Sequence, residues 1–343
     1  MVIEARVNPL NHIAYSSFYI YALRSVLGHR HVRFDSKPFQ GLSSRSQQSR
    51  GLLFTIRQTG VPEKRYYICG NDSYQIEEEI YDWCDVYASV NANFDKTPGR
   101  DKLVSLAPSF GIKVWNAGET FLTAFSNAFS YLRFAHEHKV KTFIGNYKRL
   151  LNRPYYTELV PGTSKSNYIF FCSTLWYSDE YNQNDQHLNA RRAKFIRICK
   201  EMGGIQFEGG FVVQQGRSSS DLFRDCLTEG SYPYQVWLQK TKQSALVFNT
   251  PAFWDCHGWK LGEYLALGKA IISTPLSNDL PAPLTHGVNI HFVEDDMDGL
   301  KDSIVYIIEH PDYRKRLEQG ARAYWDAYGT PEKSLGLIGI HSF

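Results

Sequence analysis

"DCHGWKLGEYLALGKAIIST", residues 255–274, combines a polar front end with an apolar body. The body reads as a helix running into the strand "KAIISTP" (269–275), which is the repeating unit of an α/β sheet. The front carries Asp255, His257, Lys260 and Glu263. A helix that only packed on a core would need none of them. Gly258 and Gly262 further weaken it as a helix, by about 1 kcal/mol each relative to Ala.

Just upstream, "SALVFNTP" (244–251) reads as a strand, so the polar cluster stands where a strand end feeds a helix. In doubly wound sheets ligands bind at the carboxyl ends of strands. A helix amino end offers free N–H groups and partial positive charge, which suit a phosphate. Gly258 lets a ligand approach the backbone, and Lys260 adds a point charge. Glu263, on the same face as Lys260, can accept two hydrogen bonds from a ribose diol. Asp255 precedes the helix and can face whatever lies beyond the phosphates. The stretch reads as a grip for a nucleotide diphosphate. The plainer alternative is an i,i+3 ion pair between Lys260 and Glu263, with His257 as an ordinary cap.

The pattern of this stretch extends along the chain. Strand-like segments at 2–7, 31–35, 51–56, 65–70, 85–90, 102–109 and 141–145 alternate with helical ones at 16–28, 73–84 and 119–138. Ser73 is expected to cap the second of these helices. Residues 151–166, "LNRPYYTELVPGTSKS", lack periodicity and read as a linker. Beyond it come strands at 167–173, 204–213, 244–251, 269–275 and 289–294, and helices at 188–203, 234–242, 297–310 and 311–328. Alternation of this kind predicts parallel sheets with helices on both faces, in two Rossmann-like, doubly wound domains facing a cleft. The expected division is an amino-terminal domain of 1–155, a carboxyl-terminal domain of 156–330 and a tail of 331–343.

Composition narrows the function. The 343 residues are 43% hydrophobic, enough for two cores. A formal charge of +3 and the lack of any Lys/Arg run argue against nucleic acid as a partner. Six cysteines without a CxxC pair read as reduced thiols. "MVIEARV" has no apolar leader, and no apolar run approaches the roughly 18 residues that span a bilayer. These features predict a cytoplasmic protein, with contact at a membrane surface left open. No GxGxxG or GxxxxGK[ST] occurs.

The stretch 255–274 resembles the carboxyl-terminal half of GT-B glycosyltransferases. Retaining members carry an acid, a Phe-Gly and a Glu eight residues after the first acid, followed by a small-residue helix and a Gly-Lys. Asp255, His257-Gly258, Glu263 and "ALGKAII" (266–272) fall in that register. "THGVNIHFVEDD" (285–296) and "IEHPDYRKRLEQGARAYWDAY" (308–328) resemble later segments of the same half. The likeness covers about residues 167–330. It implies a donor linked to UDP or GDP, bound without a metal. It further implies that Glu263 holds the ribose, that the 258–260 region holds the diphosphate, and that Asp255 lies near the donor sugar. Ser173, Thr174, His257, Gly258, Trp259, Lys260 and Glu263 are the expected donor-binding set.

The chain departs from the pattern in four places. Asp255 stands for the usual Glu, His257 for Phe, and Lys260 for an aliphatic residue. "CSTLWYSDEYNQ" (172–183) has no basic residue where retaining relatives carry Arg and Lys. The "KLGEYLALGKAII" register also resembles inverting fucosyltransferases and exostosin-like enzymes, in which a Lys meets the diphosphate. Lys260 is therefore expected to replace the missing pair, with Arg191, Arg192 or Arg217 as the other available cations.

For a catalytic base that deprotonates an acceptor hydroxyl of a glycan or glycolipid, two residues compete. His12 follows the first strand, and Asp72 follows the strand at 65–70. Both also suit ordinary loop and turn roles. The histidines of "HEH" (136–138) point apart on a helix and are not expected to bind metal. "EDDMD" (294–298) reads as a loop whose Asp298 caps the next helix. Tyr232, Tyr234, Trp237 and Trp254 are expected to pack in the core, with stacking on a sugar or base as the alternative. The predicted activity is sugar transfer from a nucleotide-diphosphate sugar to an acceptor in polysaccharide biosynthesis. Two alternatives are a hydrolysing nucleotide-sugar epimerase and a catalytically silent binding subunit.

Overall fold

The computed structural model describes residues 3–135, 139–176, 183–213 and 221–341. The chain divides into two compact units. One comprises Met1–Glu158, Asn278–Ala282 and Ala327–Phe343, and the other Leu159–Ser277 and Pro283–Asp326. Both are mixed α/β, the class that the alternation predicts.

The first unit opens with β1 (Ile3–Val7), α1 (Ile13–Leu27), β2 (Val32–Phe34) and the short α2 (Ser44–Gln47). It continues with β3 (Gly51–Gln58), β4 (Val61–Cys69), α3 (Glu78–Trp83), β5 (Val86–Ser89), β6 (Leu103–Ser105), α4 (Ala117–Phe134) and α5 (Val140–Leu150). The sheet order is β2-β1-β3-β4-β5-β6. It is not purely parallel, because β3 runs antiparallel to both β1 and β4. Only the tight turn around Gly60, with φ +81°, separates β3 from β4, and so short a connection can return the chain only as a hairpin.

Two local expectations in this unit are corrected. Residues 141–145 are not a strand but lie in α5. Phe143, Asn146, Tyr147 and Leu150 are its buried face, a spacing of three and four that a five-residue window hides. The helix expected at 73–84 begins only at Glu78. Ser73 accepts the Gln75 amide instead of capping a helix, and the Glu77 carboxylate is taken by the Tyr67 hydroxyl and the Asn71 amide.

The second unit contains β7 (Tyr168–Thr174), α6 (Gln183–Glu201), β8 (Gln206–Val212), α7 (Tyr234–Gln243), β9 (Val247–Asn249) and α8 (Trp259–Ala266). Then follow β10 (Ile271–Ser273), β11 (His291–Phe292), α9 (Leu300–Glu309) and α10 (Pro311–Tyr324). All strand pairs here are parallel, in the orders β7-β8 and β11-β10-β9. The two pieces adjoin where the Ala245 amide, just before β9, donates to the Tyr168 carbonyl. Strands thus lie across the unit as second, first, third, fourth and fifth in chain order, which is a doubly wound arrangement. Phe171, Phe195 and Phe248 bind β7, α6 and β9 together, with Phe195 stacked on Phe248 at 4.5 Å. Pro311 opens α10 as expected. Asp298 does not cap α9: Gly299, at φ +71°, is the cap residue, while the Asp298 amide donates to Asp296.

Residues 331–343, read from sequence as a tail, carry α11 (Pro331–Leu337), which belongs to the first unit and packs on α1. Glu332 there accepts the Ser25 hydroxyl at 2.8 Å. Among the described residues no helix is long and apolar enough to cross a membrane.

Candidate functional site

The opening stretch folds as a strand end, a tight loop and a helix. β9 ends at Asn249, and the loop closes on itself where the Ala252 amide donates to the Cys256 carbonyl. Trp254 and Asp255 sit inside it at φ +57° and +58°. Two successive non-glycine residues in the left-handed region carry strain of about 1–3 kcal/mol each. Gly258 then caps α8 without a side-chain bond. The first N–H groups of α8 have no acceptor within the helix. Gly258 has an ordinary φ of −73°, so its value is the missing side chain and not backbone freedom.

Lys260 does not form a surface pair with Glu263. Its ammonium donates to the Cys172 carbonyl in β7 and lies 5.1 Å from the Phe171 ring. Burial is the main cause that brings its pKa down to about 8, and the nearby Arg192 charge adds to this. Lys260 itself is half-buried, whereas Glu263 is buried, at 4% exposure, and accepts the Tyr234 hydroxyl at 2.8 Å.

Arg192 completes the cluster from α6. It is 8% exposed, and its guanidinium donates to the Ser173 hydroxyl at 3.0 Å and the Thr250 hydroxyl at 3.2 Å. Burial lowers its pKa to about 10. No carboxylate pairs with it among the described residues. A buried guanidinium bonded only to hydroxyls is costly, because its charge is taken out of water without a counter-ion. Arg192, Lys260 and Glu263 together leave one uncompensated positive charge at the carboxyl ends of β7 and β9, beside the amino end of α8. That combination suits an anion.

The structure therefore brings Ser173, Lys260 and Glu263 together with Arg192, one of the three cations that the sequence offered beside Lys260. In "LNARRAKF" nothing local separates Arg192 from Arg191, and its burial is what marks it. Thr174 ends β7 and is half-buried. His257 is buried at 4%, and Trp259 opens α8 half-exposed.

Asp255 lines a cavity of about 450 Å³, together with Trp254, Phe253, Pro251, His187 and Arg191. Arg191 is held there by Asp295. The "GKAII" part of the stretch is structural. Gly268 needs φ +57°, and Lys269 ties the turn to the Ser164 hydroxyl and the Lys242 carbonyl. Trp237 is buried as expected, stacked with Tyr264, whereas Trp254 is 51% exposed.

In the first unit, His12 and Asp72 are linked through Arg50. Arg50 pairs with Asp72 at 3.2 Å. Burial depresses the His12 pKa first, with the Arg50 and Arg149 charges adding to it. The Asn146 amide nitrogen lies 3.2 Å from His12 Nε2. The depressed pKa leaves His12 neutral near pH 7, as a base requires, while Asp72 is committed to a guanidinium. Arg217 and the "HEH" residues 136–138 lie outside the described residues. No group of three or more side chains suited to a metal occurs among the described residues.

Neither a protein-family model nor a curated protein matches the chain. Solved structures do. A glycosyltransferase from Rickettsia africae is similar at 13% identity, with 77% of this chain and 66% of that chain covered and a TM-score of 0.36. WaaG, a glycosyltransferase involved in lipopolysaccharide biosynthesis, matches at 13% identity, 79% and 77% coverage and a TM-score of 0.30. S. aureus TarM, solved with fondaparinux, α-GlcNAc-glycerol and UDP, matches at 9% identity, 78% and 56% coverage and a TM-score of 0.37. The chain spans 36% to 56% of the two TarM chains that it matches. Likenesses this distant do not bear on the chemistry, which rests on the residues themselves.

Proposed function

We propose that the chain is a GT-B glycosyltransferase that moves a sugar from a UDP- or GDP-linked donor to a hydroxyl of a glycan or glycolipid, in polysaccharide biosynthesis. The observation that carries this reading is the pair of buried Arg192 and half-buried Lys260, with one positive charge in excess beside the amino end of α8. When the glycosidic bond of a nucleotide-diphosphate sugar breaks, negative charge develops on the leaving oxygen. Fixed positive groups in a site poor in water stabilise that charge without reorganising. Lys260 has two ammonium protons left after its bond to Cys172, so it is the group suited to touch phosphate. Arg192 lies behind Ser173 and Thr250 and raises the local potential.

In the same reading Glu263 accepts the ribose hydroxyls, His257, Gly258 and Trp259 border the diphosphate with Ser173 and Thr174, and Asp255 faces the donor sugar. No metal is required, because the charge is already met by side chains and the helix end. Of the two base candidates we favour His12, since Arg50 holds Asp72 as a paired carboxylate.

The test is incubation with UDP- and GDP-sugars, with and without acceptor glycans. Transfer that needs an acceptor supports the reading. Conversion of the nucleotide sugar without acceptor makes the chain an epimerase. Binding without turnover makes it a silent subunit.

A further inference from the structure

Helix α4 is built inside out. Its buried face is small or polar, comprising Thr120, Ala124, Asn127, Ala128 and Tyr131. Its large apolar residues face outward: Phe121 is 52% exposed, Leu122 72%, Phe125 65%, Phe129 63% and Leu132 53%. At about 100° per residue these five share one stripe roughly 100° wide. Phe125 and Phe129 meet edge to face at 5.1 Å, which makes the stripe continuous. Monomeric soluble proteins seldom expose so dense an apolar patch without a use for it.

The charge around the stripe says what covers it. Residues 117–153 carry six Lys/Arg and two Asp/Glu, a net +4, whereas the whole chain is +3. The remainder is therefore −1, so the chain's basic character is concentrated in this helix pair. Arg133 is exposed next to Leu132 on α4, and Lys139, Lys141 and Lys148 are exposed on the α5 side. Lys141 and Lys148 are seven residues apart and share one face of α5. A second copy of the chain docked on this stripe would bring two cationic patches together, which like-charge repulsion opposes. Aromatic and aliphatic side chains bordered by exposed Lys and Arg match a surface apolar below and anionic above.

We propose that the outward face of α4 docks on an anionic lipid surface. Phe121, Phe125 and Phe129 enter the headgroup–acyl boundary, and Arg133 with the lysines of α5 meets lipid phosphates. The surface lies wholly within the first unit and does not depend on the nucleotide reading, so either can fail alone.

The test is co-sedimentation of the full chain with vesicles of phosphatidylcholine alone and with about 30% phosphatidylglycerol. The expected result is binding to the anionic vesicles, weakened by about 0.5 M salt. The double variant Phe125→Ser/Phe129→Ser should bind at least about tenfold less, at an unchanged circular dichroism spectrum and melting temperature, because both side chains are exposed. Lys141→Glu/Lys148→Glu should lose preference for the anionic vesicles. Wild-type chain that ignores both vesicles overturns the proposal, as does binding that the Phe variant retains. A dimer in sedimentation equilibrium that the Phe variant abolishes also overturns it, by making a second copy the occupant.

Discussion

Arg192 and Lys260 approach β7 from two different helices and grasp consecutive residues. The Arg192 guanidinium donates to the side chain of Ser173, and the Lys260 ammonium to the carbonyl of Cys172. The segment after β7 has no basic residue of its own, and these two cations bring positive charge to that place from α6 and α8. Both have depressed pKa values with burial as the first cause, so each is costly to keep charged. A fold keeps such groups at a cost in stability when a ligand uses them.

Lys260→Met should therefore separate function from stability. Removing a half-buried charge while keeping an apolar stem should leave the melting temperature unchanged or higher. Loss of a fixed donor to the leaving group should lower turnover about 10²-fold or more. Thermal unfolding and single-turnover assays measure the two halves. Turnover within a few-fold of wild type would remove Lys260 from the site.

The pH dependence of nucleotide binding follows from the same lysine. Its folded pKa, about 8, lies below the ordinary 10.5, so the charged form is disfavoured in the free protein. A bound diphosphate favours the charged form and must raise that pKa. Binding then takes up a proton above pH 8, and affinity should fall as pH rises through about 8. For stability the sign is opposite: the cost of the buried charge is full below pH 8 and is relieved between 8 and 10.5. Calorimetry of UDP and GDP binding from pH 7 to 9.5, in buffers of different ionisation heat, reads the proton uptake directly. In Arg192→Met the midpoint should move upward, because the Arg192 charge is one of the causes that lower it.

Glu263→Ala should cost both binding and stability. Glu263 is buried and accepts the Tyr234 hydroxyl, so truncation strands a buried donor, at about 1–3 kcal/mol. Glu263→Gln keeps an acceptor for Tyr234 and should restore most of the stability. If Gln also restores nucleotide affinity, the carboxylate charge is not what the ribose uses.

His12→Ala should lower turnover about 10²-fold with little change in KM, while Asp72→Asn has a smaller effect. Because the His12 pKa is lowered from 6.5, the acid limb of the wild-type rate profile should lie below pH 6.5. An acid limb that survives in His12→Ala assigns the base elsewhere.

In the proposed reading Lys260, Arg192 and the amino end of α8 meet the diphosphate charge, so chelation should leave transfer intact. Turnover lost in EDTA and restored by manganese or magnesium would overturn this.

Much of this was legible in the sequence, because it depends on local pattern. Alternating strands and helices announce α/β units, and a polar cluster between a strand end and a glycine-led helix marks a candidate anion site, since both signals lie within a few residues of each other. The stretch 255–274 thus carried Lys260 and Glu263 on its face. What it could not carry was their partners. Lys260 next to Glu263 on a helix looks like an i,i+3 pair, and only tertiary packing turns the ammonium to Cys172, 88 residues away, and the carboxylate to Tyr234. The sequence offered Arg192 only alongside Arg191 and Arg217, because burial is what distinguishes one Arg of a basic helix from its neighbour. The hairpin of β3 and β4, the return of α11 to α1 and the outward aromatic stripe of α4 were tertiary decisions too. A side chain's periodicity states which residues share a face, and only the packing of the whole chain decides which face is covered.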